Sequence, residues 1–224
     1  MLDDLLSWFF PPQCGGCDAI GTGLCLACMP ESVPLHVRTR TLNVAALAAY
    51  EGAVRRAILA LKNGRRDVAR ALGNRLGALV PENAVLIAVP TTAARRAVRG
   101  FDGAHLLATI AARRSGARAD LVLEQVAGDT QRGRDRRAWL AARGRFHAGA
   151  RLDGKTVLLV DDVMTTGSTL EDCAATLRDA GAFVRQAIVI ALADSPDVRI
   201  HSRGEHESNL ERRGPSRKLA DQGG

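Results

Sequence analysis

Two adjacent aspartates followed by a loop of small hydroxyl residues form the strongest chemical feature of the sequence. They lie in VLLVDDVMTTGSTLED, residues 157–172, where four apolar residues lead directly to Asp161 and Asp162. Neighbouring carboxylates can accept hydrogen bonds from vicinal ribose hydroxyls. Hydroxyl groups and backbone N–H groups at a helix N-terminus can hold a phosphate. The stretch therefore predicts a site for a phosphorylated ribose, with its phosphate held by Thr165, Thr166, Gly167, Ser168 and Thr169.

The same stretch also fits a purely structural interpretation. Ser168 and Glu171 have the S-x-x-E spacing of a helix capping box, and Gly167 suits the turn before it. This interpretation explains where the helix starts but leaves the threonines and the paired carboxylates unexplained. Both interpretations stand together, because a helix that begins at Ser168 would point its N-terminus at the phosphate.

A nucleotide triphosphatase loop is excluded by its context. GARLDGKT at residues 149–156 matches G-x-x-x-x-G-K-[ST] in full. Such a loop needs a helix after it, so that the helix N-terminus faces the phosphates. Here Lys155 and Thr156 lead directly into an apolar strand. The match is a turn that enters a strand.

Four of the five cysteines form two C-x-x-C pairs near the N-terminus: Cys14, Cys17, Cys25 and Cys28. Each pair makes a tight turn that directs two sulfurs to one point, and two pairs supply the four ligands of tetrahedral zinc. Because all four positions are cysteine, the predicted Zn²⁺ is structural. The fifth, Cys173, lies on the apolar face of a predicted helix and is expected to be buried.

The remaining elements predict an α/β fold, an open and mainly parallel sheet with helices on both faces. Apolar strands alternate with amphipathic helices. Strands are predicted at 42–50, 84–90, 120–125, 155–162 and 183–193, and helices at 51–62, 66–79, 103–114 and 168–180. A zinc-ribbon-like module is predicted at 1–40, the α/β domain at 41–194 and a disordered polar tail at 195–224.

Composition and charge limit the partners. The net charge of +7 and the spread of arginines favour an anionic partner, either a nucleic acid or a phosphorylated small molecule. No apolar run approaches about 18 residues, so no membrane insertion is expected. The N-terminus lacks the basic start of a signal peptide, and we expect a cytoplasmic protein.

These motifs resemble a known family. VLLVDDVMTTGSTL is similar to the phosphoribosyl-pyrophosphate motif of type I phosphoribosyltransferases. Three further segments and the four-cysteine module resemble the ComF-type competence family. The segments are YEGAVRRAILALKNG at 50–64, VPTTAARRAVRGFDGAHLLA at 89–108 and QRGRDRRAWLAARGRF at 131–146.

The resemblance implies a phosphoribosyltransferase-like fold, a phosphoribosyl pyrophosphate ligand and Mg²⁺. It implies that Asp161 and Asp162, the candidate catalytic residues, contact the ribose hydroxyls, and that residues 165–169 hold the 5′-phosphate. Lys62 and Arg99 match family positions near the pocket. The arginine-rich segment 132–145 is interpreted either as a lid that supplies cations or as a solvent-exposed helix face.

The sequence departs from the family where pyrophosphate and acceptor would bind. The departures are Thr91, Thr92, Asp102, Gly103, Arg134 and Asp135. No general base stands out, and His105 and His147 are expected to be structural. One hypothesis is an active phosphoribosyltransferase with a role in DNA uptake or nucleotide metabolism. The alternative is a non-catalytic module that binds single-stranded DNA or competence proteins, or acts in regulation.

Overall fold

A computed structural model of the chain describes residues 11–30, 33–92, 96–98, 100–125, 145–193 and 200–201. Within these residues four α-helices of 11 to 13 residues alternate with the strands of a large sheet. The helices are α1 (Gly52–Lys62), α2 (Arg66–Leu76), α3 (Gly103–Ser115) and α4 (Ser168–Asp179). All four predicted helices are therefore confirmed, with ends that differ by no more than three residues.

The strands are numbered in chain order. They are β1 (Leu35–Arg38), β2 (Asn43–Ala49), β3 (Val85–Ala88), β4 (Arg118–Asp120), β5 (Leu123–Gln125), β6 (Phe146–Ala148), β7 (Thr156–Met164), β8 (Phe183–Leu192) and β9 (Ile200–His201). Seven of them form one sheet in the order β4-β3-β7-β8-β2-β1-β9. The pairs from β4 to β2 are parallel, whereas β1 pairs antiparallel with both β2 and β9.

The sheet is covered on both faces, as the apolar runs of its central strands require. On one face α1, α2 and α3 pack through Ile58, Leu72 and Leu107, each fully buried. On the other face α4 packs through Leu170, Cys173 and Leu177. The predicted open, mainly parallel α/β sheet is confirmed, and so is the burial of Cys173.

The bounds of the predicted strands shift by at most two residues, and one predicted strand divides. The segment 120–125 is not one strand: β4 joins the large sheet, whereas β5 pairs with β6 in a separate two-stranded sheet. The strand predicted to end at residue 162 continues to Met164, because Val163 and Met164 pair with β8. The start of β7 at Thr156 confirms that residues 149–156 are a turn before a strand.

The large sheet also reaches beyond the predicted α/β segment. β1 lies within the predicted 1–40 module, and β9 lies within the predicted tail. β1 contributes only one buried side chain, Val37, so the local sequence gives little sign of a strand. The residues beyond 201 lie outside the described part of the chain.

The cysteine segment packs against α1 and α2. Cys14, Leu24 and Cys28 are buried in the same cluster as the apolar faces of these helices. The Arg56 side chain on α1 donates a hydrogen bond to the Gly16 carbonyl at 2.5 Å. In the described residues, no helix has the length and apolar character needed to span a bilayer.

Candidate functional site

The site is built on the carboxyl end of β7, the third strand of the large sheet. Asp161 and Asp162 lie within this strand, and Asp161 pairs with Val189 of β8. Consecutive side chains of a strand point to opposite faces. The strand therefore directs Asp162 toward the face covered by α1 and Asp161 toward the face covered by α4. The two carboxylates flank the strand instead of standing side by side.

Lys62 is the last residue of α1 and lies next to Asp162. Its Nζ is 3.3 Å from Asp162 Oδ2 in an ion pair, and both side chains are largely shielded from solvent. The structure thus brings together two predicted site residues that are far apart in the sequence. The pair places a cation beside a carboxylate at the carboxyl end of β7.

The pKa of Asp161 is strongly perturbed. Burial, and next to it the negative charge of Asp162, raise the pKa of Asp161 well above its usual range. Its Oδ1 accepts a hydrogen bond from the Asp162 backbone N–H at 2.8 Å, which partly offsets this effect. Lys62 lowers the pKa and the Asp102 carboxylate raises it, so three carboxylates and one lysine share this electrostatic environment.

The loop after β7 exposes the predicted phosphate-binding groups. Thr165, Thr166 and Ser168 are exposed at the N-terminus of α4, and Thr169 is half-buried. The Thr166 hydroxyl lies 3.2 Å from Ser168 Oγ and 3.4 Å from the Ser168 backbone N. Exposed hydroxyls at a helix N-terminus, where the helix dipole is positive, can hold an anion.

Gly167 is required for the shape of this loop. Its φ of +79° lies in the left-handed region, and a Cβ there would come 2.8 Å from Thr39 Cγ2. Any other residue would suffer both backbone strain and a steric clash. The conformation directs the chain from β7 into α4.

The predicted capping box does not form. Gly167 occupies the N-cap position without a side-chain cap, and Ser168 is the first helical residue. Glu171 instead turns toward the β1–β2 turn, residues 39–41. It accepts hydrogen bonds there from Thr39 Oγ1, Thr41 N and Thr41 Oγ1 at 2.5–2.6 Å. Burial would raise the pKa of Glu171, but these donors lower it overall.

Asp102, a departure from the family sequence, has a structural role. It is the N-cap of α3, where its Oδ1 accepts a hydrogen bond from the His105 backbone N–H at 3.1 Å. Its Oδ2 accepts a second hydrogen bond from the Thr91 backbone N–H at 3.0 Å. One side chain thus starts α3 and holds the segment after β3. Gly103 is buried at the first position of that helix, close to Leu61.

Several sequence predictions lie outside the described residues. Arg99 is one of them. So is the segment 126–144, which contains Arg134, Asp135 and all of the proposed lid except Arg145. Arg145 is described: its guanidinium donates to the Asp172 carboxylate on α4 and lies over the ring of Phe146.

The four N-terminal cysteines meet the geometric requirement for a metal. Their sulfurs all lie within 4.8 Å of one another, and Cys17 Sγ is 3.7 Å from Cys25 Sγ. Tetrahedral zinc with Zn–S bonds of about 2.3 Å separates its sulfurs by about 3.8 Å. Burial would raise the pKa of Cys14, but the backbone N–H groups of Cys25 and Gly16 donate to its sulfur and lower the pKa to about 6. The residues therefore fit a structural zinc ion.

The sequence patterns did not predict that the β1–β2 turn contacts Glu171 of α4. Thr39 and Thr41 contact a helix that lies 130 residues or more further along the chain, and a pattern read along the chain has no signal for such a contact. The S-x-x-E spacing identified Glu171, but its prediction that Glu171 caps α4 was wrong, because the carboxylate binds Thr39 and Thr41 instead.

Several solved structures are similar to part of this chain. Among solved structures, the chain is similar to the allosteric regulatory enzyme of purine biosynthesis (26% identity, TM-score 0.40). That match covers 55% of this chain and 26% of the other, so it spans about a quarter of that enzyme. It is also similar to TT1426 from Thermus thermophilus (20% identity, TM-score 0.35, 58% and 84% covered). A third match is a hypoxanthine phosphoribosyltransferase from Staphylococcus aureus (16% identity, TM-score 0.33, 63% and 71% covered).

No curated protein sequence matches the chain. A family model does: the phosphoribosyl transferase domain matches residues 55–212, which is well over half of the 224 residues. The matched range contains β7, the hydroxyl loop and α4. The chain therefore belongs to the phosphoribosyl transferase domain family.

Proposed function

We propose that this protein binds phosphoribosyl pyrophosphate, or another ribose 5-phosphate ligand, together with Mg²⁺. The observation that carries the proposal is the continuous path from the two carboxylates of β7 into an exposed hydroxyl loop at the N-terminus of α4. Two residues, Val163 and Met164, separate Asp162 from Thr165, and the three steps of extended chain span about 10 Å. A ribose 5-phosphate is shorter than this, and the side chains at both ends would reach toward it.

Each group has a role in this proposal. Asp162 accepts hydrogen bonds from the ribose hydroxyls on the face that carries Lys62, and the loop from Thr165 to Thr169 holds the 5′-phosphate. Asp161 points to the other face of the strand, where it accepts a hydrogen bond from the backbone N–H of Asp162. Lys62 faces Asp162 and supplies a positive charge beside the ligand. Mg²⁺, when bound with the ligand, would neutralise the pyrophosphate as it leaves the anomeric carbon. Orientation of the ligand by these side chains would account for much of the rate acceleration in a transferase.

We further propose that this protein is of the ComF type and contains one structural zinc ion. Support comes from the combination of a four-sulfur cluster and a phosphoribosyl transferase domain in one chain. A cytoplasmic location is proposed with it, because a reducing compartment keeps the four thiols available for a metal. The link to DNA uptake and competence partners rests on the sequence resemblance.

Isothermal titration calorimetry with phosphoribosyl pyrophosphate and Mg²⁺ tests the binding proposal. Wild-type protein should bind, and Asp162→Ala should bind at least about tenfold more weakly, because hydrogen bonds to a charged group contribute about 1.5–3 kcal/mol. Asp153→Asn is the matched control, since it removes an exposed carboxylate from the turn before β7. Absent binding in the wild type, or equal binding in wild type and Asp162→Ala, would contradict the proposal.

A second titration separates the alternative function. Labelled single-stranded DNA, titrated over a series of salt concentrations, should bind with a steep salt dependence if the protein contacts several phosphates. DNA binding that phosphoribosyl pyrophosphate does not displace, with no calorimetric signal for that ligand, would favour the non-catalytic module. If the protein does not bind DNA even at low ionic strength, the DNA-binding alternative is contradicted.

A further inference from the structure

We propose that Thr39 and Glu171 are positioning residues, which hold the phosphate-binding loop in its ligand-ready conformation from the back. This inference rests on the proposed function, since it concerns the same loop. The loop follows the central strand β7, whereas Thr39 belongs to the turn after β1, at the antiparallel side of the sheet. The loop after β7 and the turn that contains Thr39 are far apart in the sequence and come into contact only in the folded protein.

Glu171 provides the link between the helix and the turn. It lies in the first turn of α4 with only 9% of its surface exposed. Buried carboxylates are rare unless their oxygens are satisfied. Here Oε1 accepts from Thr39 Oγ1 and Thr41 N, and Oε2 accepts from Thr41 Oγ1. Three donors from one turn fix both the rotamer of Glu171 and the position of the turn relative to α4.

Thr39 transmits this constraint to the loop. The position of its Cγ2, 2.8 Å from where a Gly167 Cβ would be, shows that its methyl group packs directly on the Gly167 backbone. The same side chain thus donates its hydroxyl to Glu171 and supports Gly167 with its methyl group. The Gly167 carbonyl also accepts a hydrogen bond from the Glu171 backbone N–H at 3.0 Å, so the contacts form a closed ring.

Arg178 extends the network to the far end of α4. Its Nη1 donates to Thr41 Oγ1 at 2.9 Å, and its Nε donates to the Val184 carbonyl at 3.0 Å. The turn is therefore attached to α4 at two positions, Glu171 and Arg178. This double attachment restricts rotation of the turn about either contact.

The alternative is that Glu171 only stabilises the fold. A purely stabilising residue affects ligand affinity only by changing the folded fraction, which is close to one well below the melting temperature. A positioning residue changes the affinity of the folded protein. Fully buried Leu76 on α2 offers the comparison, because it packs on the opposite face of the sheet.

The decisive variants are Glu171→Gln and Leu76→Ala, measured far below their melting temperatures. We expect Glu171→Gln to raise the Kd for phosphoribosyl pyrophosphate with Mg²⁺ at least about fivefold. We expect amide hydrogens of residues 165–168 to exchange at least about fivefold faster in this variant. Leu76→Ala should change neither quantity in the loop, although it loses more stability. If Glu171→Gln matched Leu76→Ala in both measurements, the positioning role would be refuted.

Hydrogen exchange keeps this inference separate from the proposed function. If the wild type does not bind the ligand, the proposed function fails, yet faster loop exchange in Glu171→Gln still supports positioning. If Glu171→Gln does not fold, Thr39→Val replaces it. That variant keeps a methyl group toward Gly167 and removes one of the three donors. About threefold faster loop exchange is then expected, and unchanged exchange overturns the inference.

Discussion

Asp161 illustrates, at the scale of a single side chain, how a candidate site residue can reduce stability. It lies within a central strand beside a second carboxylate, and its carboxyl group is shielded enough for burial to dominate its pKa. A folded protein without ligand gains nothing from this arrangement. Such perturbed groups are typical of functional sites, where ligand binding compensates for the cost.

We predict that Asp161→Asn stabilises the ligand-free protein at neutral pH. The folded-state pKa of Asp161 is raised above its unfolded value of about 3.9. Ionisation therefore costs stability at pH values above the folded pKa, and the cost disappears as the pH falls toward the unfolded value. Calorimetry in Mg²⁺-free buffer should show a melting temperature about 2–4 °C higher for Asp161→Asn at about pH 8. The gain should be smaller at about pH 5.

The exposed Asp153 provides the control for this prediction. Asp153→Asn makes the same change of charge at a residue whose side chain is 65% exposed. Its melting temperature relative to wild type should vary much less with pH than that of Asp161→Asn. A lower melting temperature for Asp161→Asn than for wild type in mildly alkaline buffer would show that the ionised carboxylate is stabilising.

At the scale of elements, the sequence predicts those helices and strands whose formation depends on residues close together in the chain. The apolar run of β7 and the facial periodicity of α1 and α2 are local properties, so these elements can be predicted. Gly181, with φ of +95°, terminates α4 for an equally local reason. The partner of Glu171 is not predictable, because the capping motif and the contact with residues 39–41 compete for the same carboxylate. Only the tertiary structure decides between them.

The order of the strands in the sheet cannot be predicted from local sequence either, because it also depends on tertiary contacts. β1 has a single buried residue, and it becomes a strand because β2 offers an unpaired edge. The same applies to the candidate site, which combines residues from one segment with a residue from a distant helix. Asp162 and the hydroxyl loop are identifiable from one segment, whereas the ion pair with Lys62 depends on where α1 packs on the sheet.

We predict that Asp102 is needed for the junction between β3 and α3. Asp102→Ala removes the N-cap of α3 and the acceptor for the Thr91 N–H. The free energy of unfolding should therefore fall by about 1–2 kcal/mol. Asp102→Asn keeps one carbonyl oxygen and should lose less. Urea denaturation measures both values. Equal stability of Asp102→Ala and wild type would show that neither hydrogen bond contributes.

At the scale of the whole molecule, the cysteine segment and the sheet domain share one hydrophobic core. A Cβ on Gly15 would come 2.8 Å from Val68 of α2, and a Cβ on Gly16 would come 2.7 Å from Cys28. The two glycines of the first C-x-x-C pair thus allow this turn to approach α2 and the second cysteine pair. α1, which carries Lys62 at its end, packs against the same segment.

This shared core leads to a prediction about metal removal. Purified protein should contain about one zinc per chain, and Cys14→Ser should retain much less, because a serine hydroxyl is a poor zinc ligand. Since Cys14 is fully buried beside α1 and α2, loss of the metal should lower the melting temperature of the whole protein. Elemental analysis and calorimetry on the full chain measure the two effects.

Cys173→Ala is the matched cysteine control for the zinc prediction. It removes a buried thiol on the other face of the sheet, so it should lose some stability but keep its zinc. Cys14→Ser should lose both. Wild-type protein that purifies without bound zinc would show that the four sulfurs do not form a structural metal site. Zinc loss without a change in melting temperature would instead show that the cysteine segment does not support the core it shares with α1.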